Sequence, residues 1–113
     1  MRLVVCLALA AAIGGCATYS ERLAQDAWLS FETPRSQREF ESCLVPKLRD
    51  KFSGWVATPA GDSTVWSLSP GNDNVTIAAI TLTPVPTGTR VEARSVHTRG
   101  GYRRMGEMIQ SCE

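Results

Sequence analysis

The sequence has few of the side chains that carry out enzyme chemistry. It contains one histidine, His97, in a predicted strand with no cysteine or second histidine at metal-ligand spacing. No Gly-x-Ser-x-Gly elbow, His-Glu-x-x-His helix or phosphate-binding loop is present. A Ser-His-Asp arrangement would need His97 as its base, and a half-exposed strand residue is the simpler interpretation. We therefore expect a protein that is not an enzyme, with no catalytic residue, metal site or cofactor.

An excess of charge and a long apolar run are also missing. The 12 Lys and Arg residues nearly balance the 11 Asp and Glu residues, which argues against a nucleic-acid partner. Residues 3–13 form an apolar run of 11 residues, about half of the ~20 that a membrane-spanning helix needs. Because Arg2 precedes this run and small residues follow it, the segment is typical of a cleaved signal peptide.

The tetrad Ile13-Gly14-Gly15-Cys16 resembles the lipobox of bacterial lipoproteins, in which an aliphatic residue and two small residues precede the cysteine that receives the lipid. The resemblance implies removal of residues 1–15 and a lipid, such as palmitate, on Cys16. Ala17 stands where an aspartate would retain such a protein at the inner membrane, which implies the periplasmic face of the outer membrane. The alternative is an ordinary secretory signal that leaves Cys16 as a thiol.

Cysteine is scarce, and its positions predict one disulfide. Of the four cysteines, Cys6 leaves with the signal segment and Cys16 takes the lipid, so Cys43 and Cys112 remain as a pair. In an oxidising envelope we expect this pair to be bonded. A metal pair would lack further His or Cys ligands, and a redox couple would lack Cys-x-x-Cys spacing. These two alternatives are disfavoured.

Residues 16–34 are predicted to form a lipid-anchored tether with some helical character, because Leu23, Ala27 and Phe31 recur every four residues. Two interpretations stay open: a short helix docked on the domain, and an amphipathic segment lying on the lipid surface. Residues 35–113 are predicted to form a single small domain with one core.

The first part of this domain is predicted to be helical. Ser36 and Glu39 have the spacing of a capping box. An apolar stripe at helical spacing follows, formed by Phe40, Cys43, Leu44, Leu48 and Phe52. Pro46 interrupts the helix, so a kink or a break into two short helices is expected there.

From residue 55 the apolar period changes to two, which predicts strands at 55–59, 64–69, 74–83 and 89–98. Short turns between them favour antiparallel pairing. After Gly101 a last helix is predicted, with Tyr102, Met105, Met108, Ile109 and Cys112 on one side. The predicted fold is α+β: a two-layer αββββα sandwich, in which a four-stranded antiparallel meander carries the N- and C-terminal helices on one face and one disulfide closes the domain.

Two groups of side chains are candidates for binding. Residues 90–104 contain five arginines against one acid, namely Arg90, Arg94, Arg99, Arg103 and Arg104. Guanidinium groups bind phosphates and carboxylates, so this cluster predicts a surface for an anionic partner; a solvated face balanced by acids elsewhere is the alternative. Trp28, Trp55 and Trp66 are candidate aromatic anchors, although core packing explains the last two as well.

The chain also loosely resembles the small lipoproteins of proteobacteria with one cysteine in a first helix and another at the end of a last helix. The residues that carry this resemblance are Phe40-Glu41-Ser42-Cys43, the turn at 83–88 and Ile109-Gln110-Ser111-Cys112. It implies no functional residue. We expect a non-catalytic, lipid-anchored domain that binds a periplasmic protein or an anionic envelope component, or supports envelope assembly. The alternatives are an inhibitor or immunity lipoprotein against a periplasmic cell-wall enzyme, and a minor subunit of a secretion or phage envelope complex.

Overall fold

A computed structural model describes residues 19–69, 76–95 and 101–113 of the chain. Its elements are α1 (Tyr19–Leu23), β1 (Leu29–Thr33), α2 (Gln37–Lys51), β2 (Trp55–Ala60), β3 (Ser63–Leu68), β4 (Ala78–Val85), β5 (Gly88–Ser95) and α3 (Gly101–Gln110). The predicted signal segment, the lipobox with Cys16, His97 and Arg99 all lie outside the described residues.

The strands form one antiparallel sheet of five strands in the order β1-β5-β4-β3-β2. The predicted α+β class and antiparallel pairing are confirmed, and the predicted count of four strands is wrong. The extra strand is β1, which lies in the segment assigned to the tether and pairs with β5 from Leu29↔Ala93 to Thr33↔Thr89. The alternation of Leu29 and Phe31 with polar neighbours suits a strand, but its partner lies about 60 residues further along the chain.

The helix α2 begins where the sequence places it. The Oγ atom of Ser36 accepts a hydrogen bond from the Glu39 backbone N–H at 3.2 Å, as an N-cap does. The helix then continues through Pro46 to Lys51, so of the two expected outcomes, a kink or a break into two short helices, the break is wrong. Pro46 and Ser42, four residues before it, are both exposed. Water can therefore hydrogen-bond the carbonyl that proline leaves without a donor.

The first face of the sheet, the side that carries Phe31 and Val91, holds the hydrophobic core. Its buried strand residues include Trp55, Trp66, Leu68, Ala78, Ile80, Leu82, Val91 and Ala93. Phe40, Leu44 and Leu48 of α2 pack into the same cluster, together with Ile109 of α3 and Cys112. The Phe31 and Phe40 rings meet edge to face with centroids 6.2 Å apart. Both α2 and α3 therefore contribute to one core.

The segment before β1 is fixed to the domain by arginine side chains. Arg22 in α1 is 2% exposed, and its Nε donates to the Thr76 carbonyl at 2.7 Å. Its Nη1 donates to Oε1 of Gln25 at 2.8 Å. Arg94 lies on the second face of the sheet, away from the core, and its Nε donates to the Gln25 carbonyl at 2.6 Å. The described part of the predicted tether is thus docked on β4 and β5.

The predicted Cys43–Cys112 disulfide is confirmed. It joins α2 to the residues that follow α3, with the two Cα atoms 5.7 Å apart. One turn further along α2, the Lys47 Nζ donates to the Ser111 Oγ at 2.6 Å. Two side-chain links therefore hold the C-terminal end of the chain against α2.

A candidate binding groove between α2 and α3

A groove of about 790 Å³ lies between α2, α3 and the first face of the sheet. Its floor includes one transverse row of side chains, in which Trp55, Leu68, Ala78 and Ser95 are paired across β2, β3, β4 and β5. The strand β1 stops short of this row, because its pairing with β5 begins at Ala93. The groove is therefore built on the part of the sheet that β1 does not reach.

The walls come from the two helices, α2 and α3. The C-terminal half of α2 supplies Lys47, Leu48 and Lys51, and Phe52 follows directly. The other wall is formed by α3 and the residue after it, with side chains of Arg104, Met105, Glu107, Met108 and Ser111. Because Lys47 is bonded to Ser111, the two walls are connected at this end of the groove.

Much of the groove is apolar. Trp55 and Leu68 are buried, whereas Met105 and Met108 are only partly buried against the core. Phe52 is the C-cap residue of α2, and its backbone N–H donates to the Leu48 carbonyl. Its side chain is exposed, with 54% of the residue accessible. A concave site with an apolar lining and a few polar groups is typical of small-molecule binding.

The charged side chains of the groove are mainly cationic. Lys47 and Lys51 lie one helical turn apart on α2, and Arg104 lies on α3. Among the lining residues that the structure describes, Glu107 is the one acid, and it has an interaction of its own. The groove therefore offers ammonium groups on the α2 wall and a guanidinium group on the α3 wall, which favours a ligand with a negative charge.

The predicted arginine cluster is distributed over two layers of the molecule. Arg90 and Arg94 project from β5 on the second face of the sheet, where they pair with Glu32 at 3.2 Å and Glu92 at 3.3 Å. Arg104 lines the groove on the other side. The side chain of Arg103 and all of Arg99 lie outside what the structure describes. A single anionic-partner surface formed by all five arginines stays a prediction.

The three tryptophans have different surroundings. Trp66 is buried, and the Arg49 guanidinium carbon lies 5.6 Å from its ring centroid in a cation–π contact. Trp28 is half-buried beside α3, where a Cβ on Gly106 would lie 3.4 Å from the Trp28 ring. Trp55 belongs to the floor of the groove. Of the three candidate anchors, Trp55 is the one placed by the structure at the candidate site.

Sequence reasoning missed Lys47 and Lys51 as groove residues, and it missed the exposure of Phe52. It named neither lysine as a candidate, and it placed Phe52 in the apolar stripe of the helix. The available signal was that this stripe ends in a bulky aromatic residue directly after a lysine, at the C-terminus of the helix. Such a position lies at the edge of a core, where a site can open.

Within residues 19–69, 76–95 and 101–113, no group of three or more His, Cys, Asp or Glu side chains is arranged to hold a metal ion. In the same ranges, no helix combines the length and apolar character needed to span a membrane. Comparison of the chain with protein-family models, curated proteins and solved structures finds no match. Function is therefore inferred from the groove and from the residues around it.

Proposed function

We propose that the protein is a non-catalytic, lipid-anchored binding module of the cell envelope, held at the periplasmic face of the outer membrane, with the groove between α2 and α3 as its binding site. The observation that carries the proposal is the Cys43–Cys112 disulfide, which ties α2 to the residue that directly follows Ser111 of the groove. Structural disulfides persist in oxidising compartments such as the periplasm. The bond therefore agrees with export directed by the N-terminal segment and a lipid on Cys16.

The position of Arg22 supports a domain held close to its anchor. Cys16 precedes Arg22 by six residues, and six residues reach at most about 20 Å even when fully extended. Because the Arg22 side chain is bonded to Thr76 in the body of the domain, little slack is left between anchor and domain. A lipid on Cys16 would keep the groove within a short distance of the membrane surface.

The experiment that tests this proposal is the intact mass of the full chain extracted from the membrane fraction, measured before and after reduction. We expect loss of residues 1–15, an added acyl mass and a gain of two hydrogens on reduction. The Cys16→Ser variant should lack the acyl mass. Cys6→Ser is the matched control, since Cys6 lies in the segment that is removed and its loss should leave lipidation unchanged.

Three results would contradict the proposal. An unlipidated wild-type chain would refute the anchor, and free thiols on Cys43 and Cys112 in protein from intact cells would refute an oxidising location. Equal acyl mass on the wild type and on Cys16→Ser would show that the lipid is attached to another residue.

A further inference from the structure

We propose that the groove binds a single acyl chain whose head group carries a negative charge, as in a fatty acid. The proposal rests on the assignment of the groove as the binding site of the proposed function. It is carried by the combination, in one depression, of an apolar floor with cationic side chains on both walls.

The apolar surface of the groove suits a flexible alkyl chain. Trp55 and Leu68 are 3% and 2% exposed and form a packed floor that exists before any ligand arrives. Met105 and Met108 are partly buried on the opposing wall. Methionine side chains are unbranched and adapt to irregular apolar shapes. A groove with a rigid floor and an adaptable wall can accommodate an alkyl chain in several bent conformations.

The charges select the head group. Lys47 and Arg104 stand on opposite walls, and Lys51 lies one turn beyond Lys47. A carboxylate or phosphate near them gains charge-assisted hydrogen bonds from ammonium and guanidinium groups. A cationic head group of the same size would meet like charges, which weaken its binding. The groove should therefore distinguish two amphiphiles that share one chain and differ in the sign of their head group.

The shape favours a small molecule over a protein partner. The volume of about 790 Å³ lies within the range of roughly 300–1,000 Å³ that is usual for small-molecule sites. A stable protein interface instead covers about 800 Å² on each partner, and it needs a broad surface where this site is a depression between two helices. An acidic peptide is the competing occupant, and the experiment below separates the two.

The test uses membranes that contain the full chain. They are equilibrated with a fatty acid that carries a diazirine in the middle of its chain, and they are then irradiated. Labelled residues are mapped by peptide mass spectrometry. We expect the label on the groove residues Phe52, Met105 and Met108. A probe with the same chain and a trimethylammonium head should label these positions about tenfold less, the effect of two or three exposed ion pairs acting together.

Charge variants test the role of the walls. The triple variant Lys47→Gln, Lys51→Gln, Arg104→Gln should remove the preference for the anionic probe and keep part of the labelling, because the apolar floor is unchanged. The matched control removes three exposed arginines elsewhere, Arg35→Gln, Arg38→Gln and Arg90→Gln, and should keep the preference. An excess of unlabelled fatty acid should abolish groove labelling in the wild type, a measurement that needs no variant.

Three outcomes would overturn the proposal: label spread evenly over the outer surface, equal groove labelling by both probes, or displacement by an oligoglutamate peptide but not by unlabelled fatty acid. The last outcome would assign the groove to an acidic peptide. Lipidation of Cys16 is measured independently by mass. A lipidated chain without groove labelling therefore refutes the ligand class alone, and an unlipidated chain with groove labelling refutes the anchor alone.

Discussion

Gly88 lies so close to β1 that a side chain on it would collide with the carbonyl oxygen of Thr33. A Cβ at this position would also stand 2.8 Å from the Pro34 Cα, and the Gly88 φ of 147° is one that other residues rarely adopt. Glycine is thus required where β5 begins beside the end of β1, and the close approach of these two strands depends on it.

Gly88→Ala should therefore destabilise the protein by at least about 2 kcal/mol, because backbone strain adds to the separation of β1 from β5. The matched control is Gly61→Ala in the β2–β3 turn, where φ is 63° and a Cβ would meet nothing within 4 Å. That change should cost about 1 kcal/mol from conformation alone. Urea denaturation measures the free energy of unfolding of both variants. An equal loss of stability in the two would contradict the role of the Thr33 contact.

Removing the disulfide should lower the free energy of unfolding by more than any single substitution at the surface does. The bond closes a ring with a sequence separation of 69, for which the loop-entropy estimate is roughly 4 kcal/mol. We expect Cys43→Ala with Cys112→Ala to unfold at a much lower urea concentration than the oxidised wild type. The wild type kept reduced, with both thiols free, should behave like the double variant. A loss below about 1 kcal/mol would show that the unfolded chain is already compact without the bond.

Arg22→Met tests the docking of α1. The change removes charge-assisted hydrogen bonds to Thr76 and Gln25 and leaves the carbonyl of the buried Thr76 without this donor, so we expect a loss of about 1–3 kcal/mol. Arg38→Met, at an exposed position of α2, should stay within about 0.5 kcal/mol of the wild type. Thermal unfolding compares the two. A more stable Arg22→Met protein would mean that desolvation of the guanidinium outweighs its hydrogen bonds.

The two arginines of β5 should differ in their effect on stability. The side chain of Arg94 is 14% exposed and also bonds the Gln25 carbonyl, whereas that of Arg90 is 47% exposed. We expect Arg94→Met to cost about 1–2 kcal/mol and Arg90→Met less than about 0.5 kcal/mol. Hydrogen exchange should also show faster opening of α1 in the Arg94 variant alone. Equal exchange in both variants would contradict the link through Gln25.

Much of the architecture was predictable because its signals are local. The capping box at Ser36 and Glu39 predicts the start of α2, and the change of apolar period predicts β2 at Trp55. The strand β1 was not predicted, because a helical spacing from Leu23 to Phe31 competes with its short alternation. Its stability comes from pairing with β5, a long-range contact that no local pattern records.

The groove was beyond sequence reasoning for a related reason. Its floor residues Trp55, Leu68 and Ser95 belong to three strands. They lie in one row across the sheet because of the register in which the strands pair. Lys51 and Arg104 lie on different helices, so their presence in one groove depends on tertiary packing. The disulfide was predictable because so few cysteines left one sensible pair. The arginine-rich stretch was predicted to form one surface. Side chains alternate between the two faces along β5, so Arg90 and Arg94 lie on the sheet face opposite the groove.

The order of the sheet also affects how copies of the protein behave when they are crowded together. Its edges are β1 and β2; β1 is followed directly by Pro34, and β2 contains Pro59. Proline offers no N–H to a neighbouring strand, so Pro59 makes β2 a poor template for strand addition, and Pro34 limits the length over which another strand could pair with β1. For molecules concentrated in two dimensions on one membrane leaflet, as we propose here, such edges would hinder sheet-to-sheet polymerisation and aggregation.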